Sequence, residues 1–180
     1  MTPGKLDRAR AALVVVDVQE AFRKAVPGFD RVASGAAKLV QGAEATGVPI
    51  VVSEQYPRGL GRTVPEVAEH LPEGAEPLEK VRFSAAEAVG FDLEGRDQAL
   101  VCGIEAHVCV NQTVLDLIDS GVEVHVASDA VGSRSEADRE IALRKAEQAG
   151  AVLTSVEMAL FELLRGSDAA EFKQLQALVK

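Results

Sequence analysis

The sequence predicts an α/β protein: a three-layer α/β/α sandwich around a six-stranded, mainly parallel sheet of Rossmann-type architecture. Three observations carry this. Short β-branched apolar runs recur, stretches with apolar residues at helical spacing separate them, and the two kinds alternate along the chain. That alternation is the pattern of parallel strands joined by crossover helices.

Residues 11–18 form the first strand, an apolar run of the kind buried on both faces, with Asp17 at its end. Residues 30–46 follow as a helix. Val32, Ala36, Leu39, Val40 and Ala43 fall on one face, Asp30 is the candidate N-cap and Gly47 the stop. The second strand is 48–53. EQYPRGLGRTVPEV (54–67) is rich in Pro and Gly and reads as a long loop with one short helical turn. Residues 77–80 and 98–102 are the third and fourth strands, and 107–120 a helix closed by Gly121. The fifth strand is 122–127, 135–149 a helix stopped by Gly150, 151–155 the sixth strand, and the rest is helical. Neither linker nor repeat interrupts this order, so residues 1–180 read as a single domain, long enough to bury a core without a disulfide or metal staple.

An apolar share of 47% with only 4% aromatic residues suits a compact α/β chain rather than a disordered one. Nineteen basic against 28 acidic residues give a net charge of −9 without any basic block, which argues against nucleic acid and anionic membranes as partners. The N-terminal stretch lacks a signal-like apolar region and no apolar run reaches the length of a membrane span, so a cytoplasmic location is expected. The two cysteines, Cys102 and Cys109, cannot build a disulfide framework and are expected to be reduced.

In parallel α/β sheets the ligand site lies beyond the carboxyl ends of the strands. That rule selects Asp17, Glu54, Lys80, Cys109 and Asp129. Cys109 falls in the first turn of its helix, where unpaired N–H groups and the helix dipole favour a negative charge. Its thiolate is therefore expected to form more readily than that of a free cysteine. The same N–H groups suit an oxyanion. Packing of a small apolar residue at a helix start is the competing explanation. Asp17 and Lys80 either neutralise each other as a buried ion pair or serve, with Cys109, as base, cation and nucleophile of an acyl transfer. Cys102, inside a strand, reads as core. Phe22, Tyr56 and Phe83 either roof a pocket and stack on a small planar substrate or pack against the core. Gln19 and His107 either donate hydrogen bonds to substrate or hold local structure, and Asp129 is expected to be structural.

VVVDVQEAF (14–22), EKVRFSA (79–85), VCGIEAHVCV (101–110) and ASDAVGSR (127–134) together resemble the isochorismatase-like cysteine hydrolase superfamily along nearly the whole chain. The loop SEQYPRGLGRTVPE (53–66) further resembles the isochorismatase-domain-containing subgroup, whose members mostly lack an assigned substrate. The resemblance implies an Asp17–Lys80–Cys109 triad in which Asp17 accepts the thiol proton, Lys80 holds the anionic arrangement and Cys109 attacks a carbonyl to form a thioester. It also implies a cis peptide between Ile104 and Glu105, with the Glu105 and Cys109 N–H groups as the oxyanion hole. It implies no cofactor, a small-molecule substrate and a homo-oligomer.

The departures narrow the chemistry. Many relatives carry Thr where this chain has Glu105, which places a bulky acid near the site. Nicotinamidases of the superfamily bind a metal through an Asp and histidines after the second strand. Here SEQYP offers Glu54 and no histidine, and His70, His107 and His125 are not spaced as a ligand pair, so no catalytic metal is expected. Isochorismatases proper cleave a vinyl ether without the cysteine, so Cys109 favours hydrolysis of a C–N bond in a small amide-like compound. The alternatives are an ether hydrolase, a catalytically idle member that binds a metabolite or protein, and a redox-sensing thiol, the last lacking a resolving cysteine.

Overall fold

The computed structural model describes residues 4–180. Six strands, β1 (Ala11–Val16), β2 (Ile50–Gln55), β3 (Leu78–Lys80), β4 (Gln98–Ile104), β5 (Glu123–Gly132) and β6 (Val152–Thr154), form one sheet in the order β3-β2-β1-β4-β5-β6. Every pairing is parallel. The helices are α1 (Phe29–Thr46), α2 (Pro57–Leu60), α3 (Pro65–Ala68), α4 (Asn111–Asp119), α5 (Glu136–Ala149), α6 (Val156–Leu164) and α7 (Phe172–Val179).

Strand periodicity divides the core in two. Leu13, Val15, Leu100 and Cys102 face a layer built with α1, α6 and α7, whereas Val14, Val16, Ala99 and Val101 face one built with α4 and α5. All six residues of β1 are buried. Each fully buried Val or Leu contributes roughly 1.5–3 kcal/mol, so the central strand is fixed from both sides.

The element order matches the sequence expectation, while several boundaries move for local reasons. The first strand stops at Val16 because Asp17 adopts a left-handed conformation, φ 51°. At the start of α1 the turn is made by Gly28 (φ 71°) rather than capped by Asp30, which sits in the first turn and pairs with Arg23 at 3.3 Å. The loop after β2 holds two short helices instead of one turn. Residues 106–110 form a π-turn ahead of α4.

The fifth strand runs to Gly132 with a register break, Val101 facing Val126 but Gly103 facing Val131, so Asp129 lies within it rather than after it. The irregular carbonyls of Ser128, Asp129 and Val131 accept hydrogen bonds from Arg139 and Arg31. The C-terminal helical stretch is broken at Arg165 (φ 68°), and α6 and α7 turn Leu160, Leu163, Leu164 and Leu175 into the core. The large exposed apolar side chains near the carboxyl edge are Tyr56, Val81, Phe83 and Val89. No helix among the described residues is long and apolar enough to cross a membrane.

Candidate active site

Strand order reverses between β1 and β4, so a crevice opens beyond their carboxyl ends. From β1 the chain enters Asp17, and from β4 it enters the turn that carries Cys109. The close approach of the two strands depends on Gly103, which pairs with Val16 and has φ 125°. A Cβ there would overlap the Val16 carbonyl. Glycine thus sets the separation of the two elements that present acid and thiol.

Asp17 is fully buried and held on both oxygens: Ser53 donates to Oδ1 at 2.7 Å and Lys80 Nζ to Oδ2 at 2.7 Å. Lys80, at the end of β3, also donates to Gln55 Oε1 (2.8 Å), the Phe83 carbonyl (2.8 Å) and the Arg82 carbonyl (3.2 Å). These oxygens offset the desolvation of an ammonium at the sheet edge. The structure therefore brings two of the expected residues into direct contact.

Cys109 is the third. Its thiol is buried, and the charges of both Asp17 and Lys80 act on it. The Glu105 carbonyl accepts from Val108 (3.0 Å) and Val110 (3.2 Å), passing over the Cys109 N–H between them. The Ile104–Glu105 peptide is cis. One expectation is overturned: the thiol is not eased toward ionisation. Burial, and secondly the Asp17 carboxylate, push it up to about 12 against the opposing pull of Lys80. Desolvation of the thiolate is the largest cause of the shift.

The other candidates divide. Gln19 is fully buried and its amide is spent on structure, donating to the Gln55 and Gly61 carbonyls (3.0 and 2.7 Å) and accepting from the Gln55 N–H (2.8 Å). No hydrogen remains for a substrate, so Gln19 anchors the loop after β2. Phe22 packs against the α1-side core. Tyr56 and Phe83 are 56% and 50% exposed, and Tyr56, Lys80, Val81, Arg82 and Val89 border an open cavity of about 490 Å³. His107 Nδ1 meets the Ser133 hydroxyl at 3.0 Å.

The Glu105 carboxylate is gripped by Arg134, whose Nε lies 3.1 and 3.0 Å from its oxygens and whose backbone N–H donates at 2.9 Å. Glu54 is buried, its Oε1 taking the Thr63 N–H (2.6 Å) and hydroxyl (2.8 Å) and its Oε2 taking Arg62 (2.9 Å). Asp129 accepts from the Val156 N–H at 2.9 Å and so caps α6. Cys102 is sealed in the opposite core layer from Cys109.

Ser53 and Gln55 were not singled out from the sequence. Their signal was present: two polar residues at positions i and i+2 near the end of an apolar strand share one face, the face on which Asp17 and Lys80 meet.

Known proteins place this geometry in a family. The isochorismatase domain matches residues 11–158. The isochorismatase domain-containing protein 2A of Mus musculus is 39% identical over 98% of this chain and 86% of its own length. The MAR1 ribonuclease of Caenorhabditis elegans superposes with a TM-score of 0.94 at 40% identity, covering 98% of this chain and 92% of that one. The Escherichia coli YcaC gene product, an octameric hydrolase of unknown specificity, superposes with a TM-score of 0.87 at 27% identity, covering 97% and 90%. With the isochorismatase domain matched over residues 11–158 and a relative 39% identical over nearly the whole chain, the chain belongs to the isochorismatase domain family.

Proposed function

We propose that this protein is a metal-independent cysteine hydrolase that cleaves the C–N bond of a small amide-like compound through a thioester on Cys109. The observation that carries it is the buried Asp17–Lys80 pair, 2.7 Å apart at the strand-order switch point, with its charges acting on the buried Cys109 thiol.

The elevated thiol fits this chemistry. Loss of its proton to solvent would leave two anions beside one cation in a buried site. Transfer to Asp17 instead leaves one anion, the thiolate, beside Lys80, so the net charge of the site does not change and burial opposes the step far less. The thiolate then attacks the carbonyl carbon, and the developing oxyanion is received by the Glu105 and Cys109 N–H groups. As the tetrahedral intermediate collapses, the C–N bond breaks and the amine leaves with the proton from Asp17. A water, deprotonated by Asp17, adds to the thioester. The carbon–sulfur bond breaks, the acid departs and the thiol regains its proton.

The fate of Glu54 supports a mechanism that relies on side chains rather than a metal, since both its oxygens are engaged by Thr63 and Arg62. The ribonuclease description of the Caenorhabditis elegans protein is not extended to this chain, whose net charge of −9 opposes binding to a phosphate backbone. A redox-sensing thiol is disfavoured because Cys102 lies on the other side of the sheet and is closed off as a resolving partner.

The test is ammonia release from a panel of small primary amides by the parent protein and by Cys109→Ala, alongside mapping of iodoacetamide label. Release that requires Cys109, with label on Cys109 ahead of Cys102, is expected. Preferential labelling of Cys102 would remove the basis of the mechanism.

A further inference from the structure

We propose that Thr113 is a positioning residue for Cys109, its hydroxyl tying the turn of the nucleophile to the loop that carries Lys80. Thr113 is fully buried in α4, and its Oγ1 does two things at once: it accepts from the Ala85 N–H at 2.8 Å and donates to the Cys109 carbonyl at 2.7 Å. Donation to the carbonyl four residues back is an ordinary option for a helical Thr. Acceptance from a distant loop is not, and it joins two segments 28 positions apart.

The loop is held from its other end by the lysine. Lys80 Nζ donates to the Phe83 carbonyl, two residues before Ala85, and to the Arg82 carbonyl. A closed circuit results. Asp17 binds Lys80, Lys80 binds the 82–83 backbone, Ala85 binds Thr113 and Thr113 binds the Cys109 carbonyl, and the Cys109 thiol lies under the charges of Asp17 and Lys80. The side-chain half of the circuit sets the charges, and the backbone half sets where the sulfur stands relative to them. A hydroxyl is needed because the position must both accept and donate. Valine, of nearly the same shape, can do neither, and serine can do both.

This rests on the reading of Cys109 as the nucleophile, and the experiment separates the two. Iodoacetamide alkylation of Cys109 and Cys102 is followed by mass spectrometry across pH in the full chain, in Thr113→Val and in Thr113→Ser. In the parent the thiol is protonated at rest, and Asp17 accepts its proton only as the sulfur attacks, which lets Cys109 react near neutral pH. Thr113→Val should react at Cys109 about tenfold more slowly there, with a rate that climbs with pH as an unassisted thiol does, while Cys102 stays protected. Thr113→Ser should stay within about twofold of the parent, since both bonds survive.

A Thr113→Val protein that matches the parent in rate and pH profile overturns the proposal. So does one in which both cysteines label faster in parallel, because that reports opening of the fold. If Thr113→Val does not fold, Ala85→Pro cuts the same link from the loop side. Ala85 opens a short 3₁₀ turn and Ser84 already has φ −67° and ψ 130°, a conformation that tolerates a following proline. It too should slow Cys109, and a parent-like rate would overturn the assignment. Failure of the parent itself to label Cys109 ahead of Cys102 would instead strike the nucleophile reading.

Discussion

Lys80 Nζ and Asp17 Oδ2 stand 2.7 Å apart with side-chain exposures of 1% and 0%. A pair so sealed adds little to stability over a well-packed apolar pair of the same volume, because desolvation consumes most of the attraction. Charges kept there make sense when a third group draws on them, and Cys109 is the group on which they act. The same closeness makes both carboxylate and ammonium sensitive to loss of the other.

The cysteines predict a loss of stability in alkali. Burial lifts both thiols from 9.0 to about 12, with the Asp129 carboxylate adding to the effect at Cys102 and the Asp17 carboxylate at Cys109. The folded chain therefore keeps protons that the unfolded chain releases. This contribution is complete below the unfolded value and is lost as pH rises through the folded one, at about 1.4 kcal/mol per pH unit for each cysteine. Urea denaturation at intervals across that window should show a shallower decline for Cys102→Ala than for the parent. Parallel curves would show that Cys102 ionises as readily folded as unfolded.

Chelation is expected to leave hydrolysis intact. Glu54, the carboxylate after β2, already accepts from Thr63 twice and from Arg62, and no group of three or more His, Cys, Asp or Glu side chains is arranged for a metal among the described residues. Amide turnover measured before and after exhaustive dialysis against EDTA should agree. Activity lost to EDTA and restored by zinc or manganese would contradict the side-chain mechanism.

The order of elements was legible because apolar runs and helical periods are local properties, and Gly47 and Gly150 do close their helices with positive φ. Asp17, Lys80 and Cys109 were legible because each follows a strand toward one edge. What escaped was non-local. Gln19 sits beside Asp17 in sequence, yet its amide is claimed by carbonyls 36 and 42 positions away. The Glu105 carboxylate is claimed by Arg134 across the crevice edge. The direction of the Cys109 shift also failed to follow from helix position, because desolvation depends on everything packed around the sulfur.

Assembly is a further expectation. The leucine faces of α6 and α7 are used inside the core, although Met158 and Phe161 of α6 stay exposed. Tyr56, Val81, Phe83 and Val89 remain exposed, Val89 at 94%. A second copy is the expected cover, and the Escherichia coli YcaC gene product, which shares the fold, is octameric. Light scattering should give a mass well above the 19.0 kDa of one chain, and Val89→Asp with Val81→Asp should lower it. A parent mass of one chain at micromolar concentration would refute this.

Asp17→Asn separates proton acceptor from packing partner. If Asp17 only neutralises Lys80, the change destabilises the fold by on the order of 3–5 kcal/mol and leaves turnover of the folded protein intact. The three other oxygens around Lys80 Nζ, from Gln55, Arg82 and Phe83, favour the lower end of that range. In either case the electrostatics add a signature. The Asp17 carboxylate is the second cause holding the Cys109 thiol up, after burial, and Lys80 pulls the other way, so the asparagine variant should ionise its thiol at lower pH than the parent. If Asp17 is the base, turnover should nevertheless fall by about 100-fold or more, because the leaving amine finds no proton and the attacking water no acceptor. Ultraviolet titration of the thiolate in a Cys102→Ala background and ammonia release, both well below the melting temperature, read the two effects separately. A folded Asp17→Asn protein with an easier thiolate and undiminished turnover would show that the proton goes elsewhere.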